Sequence, residues 1–269
     1  MRRGEVVKGS ATALVTGASS GIGLAFAARL AGLGYNIVAV SDNAEGLARA
    51  AAELQAAYPD IKVTAHAADL ATEDAGEQLF EWTCGQGIDV EVLINNAGMF
   101  SFCDLLDTPV ERIRRMILLH DMTIAMTCRL FGERMAERGR GYILNMSSYS
   151  LWMPFPGLGL YSASKAFVRN FSMSFAKEVR ERGVRVTALC PAGVSTDLYG
   201  LSKSLQKFGV RTGILISPDS CARRGLKALW RGRRSSVPGW WNRIGIPLCL
   251  YMPMFLTRWL RSFTRKFQK

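Results

Sequence analysis

The sequence predicts a single α/β domain, a doubly wound parallel sheet with helices on both faces. Three observations predict it. Short apolar, β-branched runs alternate strictly with longer helical stretches, the pattern of strand–helix–strand crossovers. The first run opens directly into a glycine-rich turn and then a helix. The length, 269 residues, and a hydrophobic content of 49% suit one large domain around a buried sheet.

The elements follow in order. Ala11–Thr16 is apolar and β-branched and reads as a buried strand. Gly17-Ala-Ser-Ser-Gly21-Ile-Gly23 turns the chain into a helix over Leu24–Leu33, which Gly34 closes. Asn36–Val40 is a second strand, and Glu45–Tyr58 an Ala-rich helix stopped by Pro59. Ile61–Ala67 is a third strand and Glu73–Gly85 a helix. Val90–Ile94 is a fourth strand, followed by a long helical stretch over Pro109–Arg138. Gly141–Met146 is a fifth strand, Ala163–Arg182 a long helix and Val184–Leu189 a sixth strand. Tyr199–Ser217 has weaker periodicity and reads as a loop or lid.

Composition removes several classes. A charged fraction of 21% and near-neutral mean hydropathy exclude a disordered chain. No uninterrupted apolar run reaches the ~18 residues of a spanning helix. The N-terminal ten residues hold no apolar segment of signal-peptide kind, so a cytoplasmic location is expected. Six scattered cysteines without a CxxC pattern suit free, buried thiols in a reducing compartment. Two isolated histidines make a metal site unexpected.

The net charge of +12 is unevenly placed. Residues 218–269 hold 12 of the 34 Lys/Arg but only one of the 22 acids, Asp219; the first 217 hold the other 22 and 21. The main body, 1–217, is therefore near neutral, which argues against a nucleic-acid-binding body. The extension, 218–269, carries the excess. It contains the uncharged stretch Ile244–Leu256, with Trp240, Trp241, Tyr251 and Trp259 in or beside it. Basic residues and Trp around a short apolar segment fit an anchor at the inner face of a membrane. They equally fit an extension packed on the body with a solvated basic face. Pro247 and Pro253 break the stretch too early for it to span a bilayer.

The glycine turn has a physical reading. Gly17 permits the tight turn, Gly21 lets backbone approach a pyrophosphate, and Gly23 lets the helix pack close to the sheet. The helix N-terminus supplies N–H groups and positive potential. Asp42, at the end of the second strand, is placed to accept hydrogen bonds from ribose hydroxyls and to repel a 2′-phosphate. It favours NAD(H), with NADP(H) as the alternative.

These motifs, with others downstream, resemble the short-chain dehydrogenase/reductase family over roughly residues 11–200. Thr16-Gly-Ala-Ser-Ser-Gly-Ile-Gly23 resembles its cofactor turn, and Ala68-Asp69-Leu70 the segment that meets the adenine ring. Asn95-Asn-Ala-Gly98 resembles its cofactor-lining, sheet-stabilising motif. Ser147-Ser148 and Tyr161-Ser-Ala-Ser-Lys165 resemble its catalytic set, and Pro191-Ala-Gly-Val-Ser-Thr196 its nicotinamide-side loop. The resemblance implies a Rossmann-type sheet of about seven strands. It implies a dinucleotide held by Gly17, Ser19, Ser20, Gly21, Ile22, Gly23, Asp42, Asp69, Leu70, Asn96, Ala97 and Gly98. Tyr161, Lys165, Pro191, Gly193, Val194 and Thr196 complete that set. It also implies a homo-dimer or homo-tetramer through the two long helices.

The chemistry of the catalytic set is explicable. Tyr161 and Lys165 are four apart and share a helix face. A free tyrosine, with pKa near 10, is a poor base at neutrality, and a neighbouring ammonium favours its phenolate. Tyr161 then exchanges a proton with a hydroxyl or carbonyl oxygen, and Ser148 holds that oxygen. One departure stands out: His120 occupies the place of the asparagine that in the family holds a relay water near the lysine. Either His120 replaces it and titrates near neutrality, or it is a satisfied core histidine. Ala192 stands where the family often has glycine, a small perturbation. His66 and the methionines Met116, Met122, Met126 and Met135 read as packing residues.

The segment between Ser148 and Tyr161 walls the substrate pocket in this family. Here it is apolar, with Trp152, Met153, Phe155 and Leu158, and Met99, Phe100 and Phe102 are expected to face the same cleft. The predicted substrate-binding residues are Ser148, Met99, Trp152, Phe155 and Tyr161. The expected function is an oxidoreductase of hydroxyl and carbonyl groups on a lipophilic substrate such as a sterol, bile acid or fatty-acyl derivative. The alternative is a non-catalytic cofactor-binding regulator or membrane-surface scaffold on the same fold.

Overall fold

The computed structural model describes residues 6–196, 202–212, 215–239 and 246. Seven strands form one parallel sheet: β1 (Thr12–Thr16), β2 (Asn36–Ser41), β3 (Val63–Ala67), β4 (Val90–Asn95), β5 (Gly141–Met146), β6 (Val184–Leu189) and β7 (Ser235–Ser236). Their order is β3-β2-β1-β4-β5-β6-β7. The chain therefore winds outward in both directions from the β1/β4 pair. Helices leave the C-terminal ends of these two strands in opposite senses and open a crevice there, where ligands of such sheets bind.

The central strands are largely apolar because both of their faces are covered. In β1, Ala13, Leu14 and Val15 are all fully buried. Alternate residues serve separate cores. Ala13 and Val15 meet helices α1 (Gly21–Gly32), α2 (Ala44–Ala57) and α8 (Pro218–Trp230); Leu14 meets α3 (Ala75–Gly85), α5 (Thr123–Glu137) and α6 (Gly159–Glu178).

Four sequence expectations are corrected. The helix over Pro109–Arg138 is α4 (Val110–Ile117), a π-helical turn (Leu118–Met122) and α5. That turn inserts one residue into the helical ladder and swings His120 inward. The helix expected from Ala163 begins earlier, at Gly159, so Tyr161 lies in the first turn of α6. The expected loop over Tyr199–Ser217 contains α7 (Lys203–Arg211), whose N-cap Ser202 accepts a hydrogen bond from the Leu205 amide. Finally, residues 218–236 are integral to the sheet domain: α8 packs along α1, and β7 pairs with β6. Tyr35 stacks on Trp230, with ring centroids 6.4 Å apart. Of the tail beyond Gly239, including Trp240, Trp241, Tyr251 and Trp259, only Ile246 is among the described residues. No described helix is long and apolar enough to cross a membrane.

Candidate active site

A cleft of about 610 Å³ opens at the C-terminal ends of β1 and β4. The turn after β1 forms one side. Gly17 and Gly21 have φ of +66° and +57°, which a side chain would strain. A Cβ on Gly17 would sit 2.8 Å from the Asn96 side chain, and one on Gly23 would fall on the Gly17 carbonyl. No side chain caps α1 and its first turn holds no acid. Its leading N–H groups therefore remain available to an anion, as a dinucleotide pyrophosphate requires.

Asn96 ties β4 to this turn. Its Nδ2 donates to the Thr16 carbonyl at 3.0 Å, while Thr16 Oγ1 accepts from the Asn96 and Ala97 amides, each at 2.9 Å. Behind it, Asn95 Nδ2 donates to Asn145 Oδ1 at 2.9 Å, and Asn145 Nδ2 to Ser172 Oγ at 2.9 Å. This buried chain locks β4, β5 and α6 in register beneath the cleft.

At the far end, Asp42 follows β2, within 3.4 Å of the Ser41 hydroxyl, and Ser41 Oγ lies 3.0 Å from Ser19 Oγ. Asp69 is gripped by Arg115 of α4, with bonds of 2.9 and 3.2 Å, and accepts from the Ala71 amide. The Arg115 guanidinium holds the Asp69 carboxyl below its ordinary range.

The reacting end is shielded from solvent. Ser148, Tyr161 and Lys165 are all buried, and all line the cleft. Ser148 Oγ accepts from the Ser150 amide at 3.1 Å and from the Ser150 hydroxyl at 3.0 Å. Its own proton is thus left to donate. Lys165 Nζ donates to the Met146 carbonyl at 3.1 Å and lies 5.7 Å from the Tyr161 ring centre. Burial pushes the Lys165 ammonium down to about 8, and Asp121 opposes that shift. It remains charged at neutrality.

His120 is fully buried. Its Nε2 accepts from the Met99 amide at 3.1 Å, which places the proton on Nδ1, 2.9 Å from Ser164 Oγ. Ser164 in turn donates to the Tyr161 carbonyl at 2.9 Å. Burial, then the Lys165 charge, holds the imidazole well below its ordinary pKa. Of the two readings of His120, the geometry favours the satisfied core histidine: both ring nitrogens are engaged.

Of the predicted cofactor and catalytic residues, Gly23, His120 and Gly193 do not line the cleft and the others do; of the apolar residues expected to wall it, Met99 lines it, whereas Phe100, Phe102, Trp152, Met153, Phe155 and Leu158 do not. Trp152 packs against Tyr149, and Phe155 against Phe102. The Cys103 amide bonds the Gly157 carbonyl, joining the two apolar segments into one wall. Phe100 stands edge-on to Tyr161 at 5.0 Å. Sequence reasoning missed Ser150, Arg115 and Asp121. Ser150 carried a local signal, two residues from Ser148; the other two depend on tertiary contacts.

A dinucleotide-shaped crevice at the point where the strand order reverses, floored by a buried Tyr–Lys pair, is the hallmark of a class of oxidoreductases. Within that class the chain belongs to the short-chain dehydrogenase family, whose family model, described as short chain dehydrogenase, matches residues 11–206. It is 39% identical over 178 residues to a very-long-chain 3-oxoacyl-CoA reductase of Pyricularia oryzae, covering 65% of this chain and 53% of that protein. It is 36% identical over 196 residues to a 17-beta-hydroxysteroid dehydrogenase type 3 of Danio rerio, covering 71% of this chain and 63% of the relative. Both matches thus span less than two thirds of these relatives' lengths. Among solved structures, a short-chain dehydrogenase from Sphingobium yanoikuyae in complex with NADPH is 28% identical, with a TM-score of 0.76. That match covers 87% of this chain and 91% of the other.

Proposed function

We propose that the protein interconverts a hydroxyl and a carbonyl group on a lipophilic substrate, using NAD(H) and with Tyr161 as general acid/base. The observation that carries this reading is the buried Lys165 ammonium beside Tyr161 on the floor of the cleft. An ammonium beside a phenol favours its ionised form. In reduction, Tyr161 gives its proton to the carbonyl oxygen; in oxidation it takes one from the hydroxyl. Ser148 donates its free proton to the same oxygen and stabilises charge developing on it. The nicotinamide, when bound, supplies or accepts the hydride. The turn Gly17–Gly23, Asp42, Asn96–Gly98 and Pro191–Thr196 would hold that cofactor.

Met99 on the cleft lining, with Phe100 edge-on to Tyr161 behind it, supports a lipophilic substrate, as do the acyl and steroid names of the two relatives. Asp42 supports NAD(H) by repelling a 2′-phosphate. A second cofactor reading has its own observation: Arg115 brings a cation to the adenine end, within electrostatic reach of Asp42, and the solved relative holds NADPH.

Parallel fluorescence titrations with NADH and NADPH test the cofactor. Tighter NADH binding is expected, and tighter NADPH binding overturns the assignment. Ketone reduction tests the chemistry: Tyr161→Phe retains cofactor affinity but loses about a hundredfold or more in kcat. A Tyr161→Phe protein of unchanged kcat overturns the acid/base role.

A further inference from the structure

The surface of α8 and the turn after it are strongly basic. Arg223, Lys227, Arg231, Arg233 and Arg234 are exposed, and Arg224 is half-buried. The one acid of this stretch, Asp219, is occupied: its carboxylate takes a 2.6 Å bond from Arg29 of α1. The patch therefore keeps its charge. Between α1 and α8 lies a groove of about 680 Å³ with Tyr58, Leu226 and Trp230 on its floor. Arg223, Lys227 and Arg231 stand on its rim.

Ile246 packs on the cluster of Tyr149, Cys190 and Val237, with Trp152 and Met153 at its edge. Ile246 belongs to the uncharged stretch Ile244–Leu256, which basic residues and tryptophans flank. Cations, then an apolar segment with interfacial aromatics, are the parts of a lipid-surface contact.

We propose that the α8 face docks this protein on an anionic lipid bilayer. Charge complementarity selects an acidic partner. The uncharged stretch selects a bilayer over a nucleic acid, because a duplex offers phosphates but no apolar phase. The docking does not rest on the proposed function.

The test is sedimentation of the full-length protein with phosphatidylcholine vesicles, with and without phosphatidylglycerol. The protein pellets with the anionic vesicles, stays in solution with phosphatidylcholine alone, and is released by high salt. The triple variant Arg223→Ala/Lys227→Ala/Arg231→Ala binds the anionic vesicles about a hundredfold more weakly, about 1 kcal/mol for each cation. It keeps the wild-type affinity for the dinucleotide, since none of the three lines that cleft. Equal binding to both vesicles, a variant that binds as wild type does, or displacement of the protein from vesicles by duplex DNA overturns the proposal. Where the variant fails to fold, the wild-type protein still decides: anionic-vesicle binding that high salt leaves intact also overturns it.

Discussion

The π-helical turn places two neighbouring residues in opposite roles around Lys165. His120 is a neutral post. It fixes the Met99 amide from one nitrogen and, through Ser164, the first turn of α6 from the other. His120→Ala is expected to cost about 1–3 kcal/mol in denaturant unfolding, because it strands buried partners. His120→Asn is expected to leave the pH–rate profile in place; a profile that moves would restore the titrating role. Asp121 is the charged member. Burial raises its carboxyl to about 6, one of its oxygens has no hydrogen-bond partner, and it favours the charged form of Lys165. Removing the carboxylate withdraws support from the ammonium, so the Lys165 pKa falls further below about 8. The Asp121→Asn pH–rate profile should lose its alkaline side at lower pH than wild type. An unmoved alkaline limb sinks this account. The Ser148, Tyr161 and Lys165 set is legible in the sequence because its spacing is local. Asp121 is not, because an ordinary helix through that segment would give its side chain another bearing.

Legibility among the elements follows the same division. β1, β4, β5 and β6 announce themselves as short, mostly apolar runs because both of their faces are largely covered. β7 carries no such signal: it is Ser235–Ser236 alone, held by register against Ala188 and Leu189. α7 leaves no mark in the sequence because its apolar residues Leu205, Phe208 and Val210 are exposed, so no core-facing stripe reveals it. The charge of α8 gives it the look of an extension, but that charge lies on its outer side. Its inner side is core. A Cβ on Gly225 would come within 2.8 Å of Leu189 and 2.9 Å of Phe26. Trp230 meets Tyr142 edge-on at 4.6 Å, and its carbonyl accepts from Arg185. Gly225→Ala should therefore destabilise by about 1–3 kcal/mol through overpacking. Trp230→Ala should cost about 3–5 kcal/mol. Urea unfolding measures both, and losses well under 1 kcal/mol would return α8 to the status of an appendage.

For the whole molecule, the two faces of the sheet carry different surfaces. α8 and its cations lie on the α1 side, whereas α5 and α6 cover the other. On α6, Phe167, Phe171 and Phe175 stack in series, with ring centroids 5.8 and 5.7 Å apart. Gly132 of α5 makes room for the last ring, since a Cβ there would lie 2.9 Å from it. The inner rings belong to the core, but Phe167 is 41% exposed at the end of the ladder. A second copy of the chain meeting this one across α5 and α6 would cover that ring. The basic face would then remain outward and available to lipid, so assembly and docking do not compete. Phe167→Asp is placed to separate them. It sets a carboxylate in the covered contact while leaving α8 untouched, and a charge buried without a partner is costly. Light scattering is expected to give a dimer or tetramer for the wild-type chain and a monomer for Phe167→Asp, with vesicle binding retained. A wild-type chain that is already monomeric, or a Phe167→Asp chain of unchanged mass, removes α6 from the interface.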